Sequence, residues 1–280
     1  MKKTYINGVG CISTQKTFDT VFLEEANVNH DENVLAIVPP AYKDYISPAA
    51  SRRMAKGVKN GIVASALAMK DANVENVDAI ITGTGLGCIE DSEKFLKAIL
   101  DNNEQFLTPT AFIQSTHNTV AGQIALGLQC KGYNFTYVNG AISFETALLD
   151  AKLQIETEQA NSVLVGGIEE IAQHNIDMQR IAGNIKKQED MPFSILNPTS
   201  KGMVLGEGAS FFVLENEPKE SSYATLAAVS IQNSLEIDEV RQYVKTFLDN
   251  NETRLDEIDL VVLGNNGDVE FDVYFNQVSA

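Results

Sequence analysis

Apolar residues fall along this chain in two registers: short β-branched runs closed by glycine, and longer stretches spaced for a helix. Residues 5–9 open as a strand that ends in glycines. Met54, Val58, Ile62, Ala66 and Met69 recur about one helical turn apart and predict a helix over 53–72. An apolar strand over 78–82 is halted by the glycines of TGTGLG. Further on, a helix is expected over 121–128, a strand over 135–138, a helix from 142 to 156, and a strand over 162–165 that stops at Gly166-Gly167. Residues 203–205 and 210–214 flank Gly206-Glu207-Gly208 as the arms of a hairpin would. Strands alternating with helices imply a layered α/β fold with mostly buried sheets.

One stretch of the pattern occurs twice. Residues 73–91, NVENVDAIITGTGLGCIED, resemble residues 254–272, RLDEIDLVVLGNNGDVEFD. Each has an apolar–Asp pair, an apolar run that reads as a strand, a glycine-containing turn and then acids. After Asp78 the chain continues through a strand, a long helix and another strand ending at Gly166, whereas 21 residues follow Asp259. That is too few for another strand–helix–strand unit, so the second copy is expected to be unfinished.

Composition narrows the function classes. The chain has 280 residues, 44% of them hydrophobic, enough for a real core. Thirty-eight acids against 21 bases give a formal net charge of −17, a field that repels a phosphate backbone, so nucleic acid is not an expected partner. No run approaches the length of a membrane span, and the start carries no sustained apolar stretch, so a cytoplasmic protein is expected, with no membrane partner. Cys11, Cys88 and Cys130 are far apart, and His30, His117 and His174 form no cluster with them, so neither a disulfide framework nor a metal site is expected. The glycine turns at 83–87 and 264–267 lack the context of a dinucleotide fingerprint, and no cofactor is expected.

The most informative segment is FTYVNGAISFETALLDAKLQIETEQANSVLVGG. A strand runs into a tight Asn139-Gly140 turn and then directly into a helix, whose unpaired N–H groups and macrodipole would stabilise a thiolate. This pattern resembles the nucleophile elbow of the β-ketoacyl synthases, of the thiolase superfamily. YINGVGCIS resembles the family's opening strand, SRRMAKGVKNGIVASALAMKDANV its basic-start helix, and STHNTVAGQIALGLQ the loop and helix at its dimer interface. SKGMVLGEGASFFVLE is close to the family's G-x-x-x-GEGA-x-x-x-x-LE segment. The resemblance implies a thiolase-like layered α-β-α-β-α architecture of pseudo-duplicated halves within a single domain over 1–280. The first half, 1–215, holds the elbow, and the second, 216–280, is partial.

The departures from the family matter as much as the matches. Counting back from Gly166-Gly167, the position of the family's catalytic cysteine falls on Ala141, and a methyl group cannot attack a thioester. Aligning Ile258-Asp259 with the strand that carries the first catalytic histidine puts Gly264 there, beside Asn265 and Asn266, with Asp272 matching a later acid. The second histidine and the glycine–phenylalanine loop of the oxyanion hole belong to a family segment beyond residue 280. Condensation needs thiolate, oxyanion hole and histidines together, so autonomous condensation is not expected.

Other candidates remain around the elbow. Ser143 is a possible substitute nucleophile, although a serine in a first helical turn more often caps or packs. By the resemblance, Ser115, His117, Ser143 and Phe144 would line an acyl pocket or a subunit interface. Arg52, Arg53, Lys56 and Lys59 form a concentrated basic run, read either as a docking face for an acidic acyl carrier protein or as partners of internal carboxylates. Glu169 and Glu170 point apart if they lie on a strand, and Glu207 is expected to bind turn amides. The resulting expectation is a non-condensing partner, like a chain-length factor of a polyketide or aryl-polyene-type pathway, dimeric with an active ketosynthase or with itself. The alternatives are a divergent acyltransferase or thioesterase using another nucleophile, and a truncated synthase homologue.

Overall fold

The computed structural model describes residues 2–18 and 28–279. In chain order the strands are β1 (Tyr5–Ile12), β2 (Val34–Leu35), β3 (Ala79–Gly83), β4 (Tyr133–Tyr137), β5 (Ser162–Glu169), β6 (Leu205–Gly206), β7 (Gly208–Glu215) and β8 (Ala224–Thr225). The helices are α1 (Pro48–Ser51), α2 (Lys56–Asp71), α3 (Ile89–Asp101), α4 (Pro109–Ser115), α5 (Thr119–Leu128), α6 (Ser143–Glu156), α7 (Gln173–Ile181), α8 (Val240–Asn250) and α9 (Val273–Ser279). They fall into two units built from interleaved segments. The first comprises Met1–Ala26, Ala36–Asn175 and Glu207–Val229, and the second Asn27–Leu35, Ile176–Gly206 and Ser230–Ala280.

The first unit is organised by a mixed sheet in the order β4-β3-β5-β7-β1-β8. β3 runs parallel to both β4 and β5, while β7 is antiparallel to β5 and β1. Successive residues of a strand point to opposite faces, and the core divides accordingly. Ile80, Leu164, Phe211 and Val213 pack on one face with Val58, Val63 and Ala64 of α2 and Val120 and Ile124 of α5. Ile81, Val163, Val165 and Leu214 pack on the other with Ala147, Ala151 and Ile155 of α6. All five residues of β3 are buried, as its unbroken apolar run requires. Close approach of β1 to α2 depends on a missing side chain, since a Cβ on Gly10 would strike the Ala64 carbonyl. This helix–sheet–helix arrangement is the layered α/β architecture expected from the alternation of strands and helices.

Two expectations are corrected. The arms on either side of Glu207 do not form a hairpin. β6 pairs in parallel with β2, whereas β7 joins the six-stranded sheet between β5 and β1. Glu207 separates them because its carboxylate is drawn inward, with a side chain only 1% exposed, onto Lys56 Nζ at 2.7 Å and the N–H groups of Ile37 and Ile171, each at 3.2 Å. The second correction concerns the repeated run at 258–263, which forms no strand in the second unit. That unit contains the short β2–β6 pair, a bridge between Ile185 and Met203, and α8 packed with α9. Among the described residues no helix is long and apolar enough to cross a membrane.

Glu207→Ala should lower the unfolding free energy by about 3 kcal/mol, because it strands two N–H groups and the Lys56 ammonium. Glu207→Gln, which keeps an acceptor, should cost less. Urea denaturation of the two variants checks the order, and equal stability of the alanine variant and the parent would contradict it.

Candidate functional site

The elbow is built as the apolar pattern implied. β4 ends at Tyr137, a single 3-10 turn spans Gly140–Ile142, and α6 begins at Ser143. Gly140 has φ +57°, a backbone state that L side chains rarely adopt and that glycine takes at little cost. The turn is locked by Ser143, which is 3% exposed. Its hydroxyl donates to the Gly140 carbonyl at 2.7 Å and accepts the Asn139 N–H at 2.8 Å. That hydroxyl is therefore committed to the turn, with no base beside it. Ala141 stands exposed at the tip, where the helix N-terminus would stabilise an anion and the side chain offers only a methyl. Phe144 turns inward, its ring 5.9 Å from that of Phe212 and packed over Gly167.

Carboxylates fix the loops around this turn. Glu169 accepts the N–H groups of Gly85 and Leu86, while its neighbour Glu170 points the other way. Glu170, 2% exposed, accepts Gly57 N–H at 2.6 Å and Glu90 N–H at 3.0 Å, the first turns of α2 and α3. Neither helix has a side-chain cap of its own, so one distant carboxylate serves both. Burial pushes both carboxyls above their usual range, with the amide donors opposing it. Cys88, at the start of α3, is 1% exposed, and burial, followed by the nearby Glu170 and Asp91, pushes its thiol up to about 12. It is a packed, protonated thiol and no substitute nucleophile.

The remaining candidates separate. Ser115 donates to the Phe112 carbonyl at 2.8 Å, and His117 is exposed with its ring against Gly87. Of the basic run, Lys56 is bound to Glu207, and Lys59 lies 5.5 Å over the Tyr42 ring. Arg52 and Arg53 are exposed and make no ion pair among the described residues. Lys56 thus follows the internal reading, which also explains cations at the start of α2: buried carboxylates offset the unfavourable macrodipole there.

In the second unit, the loop around Gly264 and Asn265 is held by Asp272, 2% exposed, which accepts the N–H groups of Asn266 at 3.1 Å and Gly267 at 3.2 Å. The Phe275 ring lies against Gly264, 3.0 Å from where a Cβ would stand, so a side chain there would need that ring to give by a few tenths of an ångström. No histidine occupies this loop. Lys186, absent from the sequence-based candidates, is 2% exposed and donates to the Ser200 carbonyl and hydroxyl at 2.9 and 3.0 Å, and burial lowers its pKa. Among the described residues no group of three or more His, Cys, Asp or Glu could hold a metal ion.

Since its folded thiol titrates near 12, Cys88 should resist iodoacetamide in the native protein at pH 8.5 and react once the chain is unfolded in urea. Peptide mapping by mass spectrometry checks this, and rapid native alkylation at Cys88 would contradict it.

Comparison with known proteins places these features in a family. Residues 38–220 match the family model described as the β-ketoacyl synthase N-terminal domain. The 3-oxoacyl-[acyl-carrier-protein] synthase 2 of Staphylococcus aureus (strain N315) is 25% identical over 183 residues, covering 62% of this chain and 44% of that protein. The match thus spans less than half the length of this curated relative. Among solved structures, the ishigamide ketosynthase/chain length factor superposes with a TM-score of 0.76 at 17% identity, over 99% of this chain and 77% of that one. A ketosynthase in complex with its chain length factor from Xenorhabdus doucetiae gives 0.59 at 14% identity, over 78% and 59%. With the elbow, the glycine turn at 83–87 and the GEGA segment all inside the matched residues, the chain belongs to the β-ketoacyl synthase family.

Proposed function

We propose that this chain acts in fatty-acid or polyketide synthesis as a non-condensing subunit of the chain-length-factor kind, shaping the acyl pocket of an active ketosynthase from the cytoplasmic side of that pathway. One observation carries the reading: at the tip of the elbow Ala141 presents a methyl, and the nearest hydroxyl, that of Ser143, is consumed by the turn. The absence of an imidazole at Gly264, where the resemblance puts one, and the Phe275 ring close against that glycine support it. What such a chain contributes is binding energy and shape, applied to an acyl group held by its partner. The chain length factors named among its structural neighbours make this role a natural one for the fold.

The surface offered to a partner supports the same reading. β4 is the outer strand of its sheet and exposes Tyr133 and Phe135, whose rings lie 6.1 Å apart and nearly parallel. Phe112, Ile113 and Leu126 are also exposed, and they line a shallow cleft of about 500 Å3 with Thr116, Thr119 and Gly122. An unpaired edge beside an apolar cleft is suited to a subunit interface. In this proposal Ser115 and His117 flank that interface, and Arg52, Arg53 and Lys59 form the face toward an acidic acyl carrier protein.

Incubated with an acyl-carrier thioester, the protein should gain no covalent acyl mass at the elbow, and Ala141→Cys should yield no β-ketoacyl product from acyl- and malonyl-carrier thioesters. An acyl adduct on the parent, or product from the variant, would overturn the reading. In sedimentation the chain should dimerise with itself or with a ketosynthase, and Leu126→Asp combined with Phe135→Asp should weaken that association at least tenfold, whereas a stable monomer would count against the interface.

A further inference from the structure

A lysine taken out of water normally meets a carboxylate, and Lys186 of the second unit does not. The residue is 2% exposed, its Nζ lies 2.9 Å from the Ser200 carbonyl and 3.0 Å from the Ser200 hydroxyl, and among the described residues it forms no ion pair. Asp190, Asp268 and Asp272 are the charges that face it from farther off, and they favour the ammonium. Each of them is already held by amides: Asp190 by Lys187 N–H at 3.3 Å, Asp268 by Glu270 N–H at 2.8 Å, and Asp272 by the Asn266 and Gly267 N–H groups. Burial outweighs their pull and lowers the pKa of the amine.

The lysine and the serine are fixed by backbone contacts on both sides. Lys186 N–H donates to the Met203 carbonyl at 3.1 Å, and the Lys186 carbonyl accepts Asn33 Nδ2 at 2.6 Å. The loop that carries Ser200 comes this close because Gly202, at φ +91°, has no side chain, and a Cβ there would stand 2.7 Å from the Lys186 nitrogen. The Ser200 carbonyl also accepts Val269 N–H at 3.3 Å. Ser200 is half-buried whereas the amine behind it is closed off, so a reagent from solution meets the hydroxyl first. The N–H groups of Lys201 and Gly202, which follow the serine, have no acceptor among the described residues. Ile195 and Leu196 of the preceding loop are 40% and 86% exposed, and Ile195 Cα and Lys186 Cε lie 3.4 and 3.3 Å from the point where a Cβ of Gly267 would stand.

We propose that Ser200 and Lys186 are a nucleophile–base pair that hydrolyses esters of apolar acyl groups. With the amine neutral, one N–H stays on the Ser200 carbonyl while the nitrogen lone pair accepts the hydroxyl. Lys186 takes that proton as Oγ bonds to the ester carbonyl carbon, and the Lys201 and Gly202 N–H groups are the donors available to the oxyanion. The bond from the acyl carbon to the alcohol oxygen then breaks, and the ammonium returns the proton to the departing alkoxide. Water, giving a proton to the same amine, opens the acyl-serine ester, and release of the acid restores the pair. Ile195 and Leu196 supply apolar contact for the acyl group. The site shares no residue with the elbow, so a chain silent at Ala141 can still act at Ser200.

The test uses the full chain, p-nitrophenyl butyrate as ester, and an alkyl fluorophosphonate, which phosphonylates activated serines. The phosphonyl mass should map to the peptide that carries Ser200. Ser200→Ala should lose that label and lower ester turnover by about a hundredfold. Labelling and turnover of the parent should rise with pH and level off below the usual lysine range, because only the neutral amine accepts the proton and burial favours that form. Lys186→Met should be equally inert; since a change at so buried a residue can cost folding, the pH profile of the parent carries the claim for the amine. No adduct, an adduct confined to another residue, undiminished turnover by Ser200→Ala, or rates independent of pH would each overturn the proposal.

Discussion

Buried carboxylates holding backbone amides are the interaction on which the site region depends. Glu169, Glu170 and Glu207 together anchor six N–H groups drawn from the β1–α1 connection, the starts of α2 and α3, the loop after β3 and the segment after β5. Each of those groups is an orphan donor that its own element does not satisfy. The carboxylates accept the cost of desolvation because the amides, and in one case the Lys56 ammonium, come to meet them. The loops around the elbow are thereby held in place, and Ala141 at its tip presents only a methyl.

That contrast gives the functional reading its physical sense. In the proposed reading the turn at Asn139-Gly140, the Ser143 lock and the inward Phe144 keep the shape of the elbow, while Ala141 at its tip carries no reactive atom.

Much of the fold was legible in the sequence where a pattern is local. β3 and β5 announce themselves as unbroken apolar runs stopped by glycines, and α2 by apolar residues one turn apart. α3 was not picked out, and none of its residues is fully buried. The arms around Glu207 were misread as a hairpin because Gly-Glu-Gly has the composition of a turn, whereas the side chain between the glycines is bound 151 positions earlier in the chain, at Lys56. The supports around the elbow were not legible. Glu170 reaches helix starts 113 and 80 residues away, and no spacing rule connects such partners. Ser143 could be suspected of a turn role from its place, yet only the geometry shows both sides of its hydroxyl in use.

The run at 258–263, which forms no strand, has a consequence for the behaviour of the molecule in solution. Leu-Val-Val-Leu is the kind of β-prone, uncharged window that stacks with its like, and here it is flanked on its amino-terminal side by Glu257 and Asp259, with Asp256 paired to Arg254. Charges beside such a window act as gatekeepers against cross-β assembly. Replacing them with apolar residues would open the run to its like, so the solubility of this acidic protein depends on a few side chains beside one short segment.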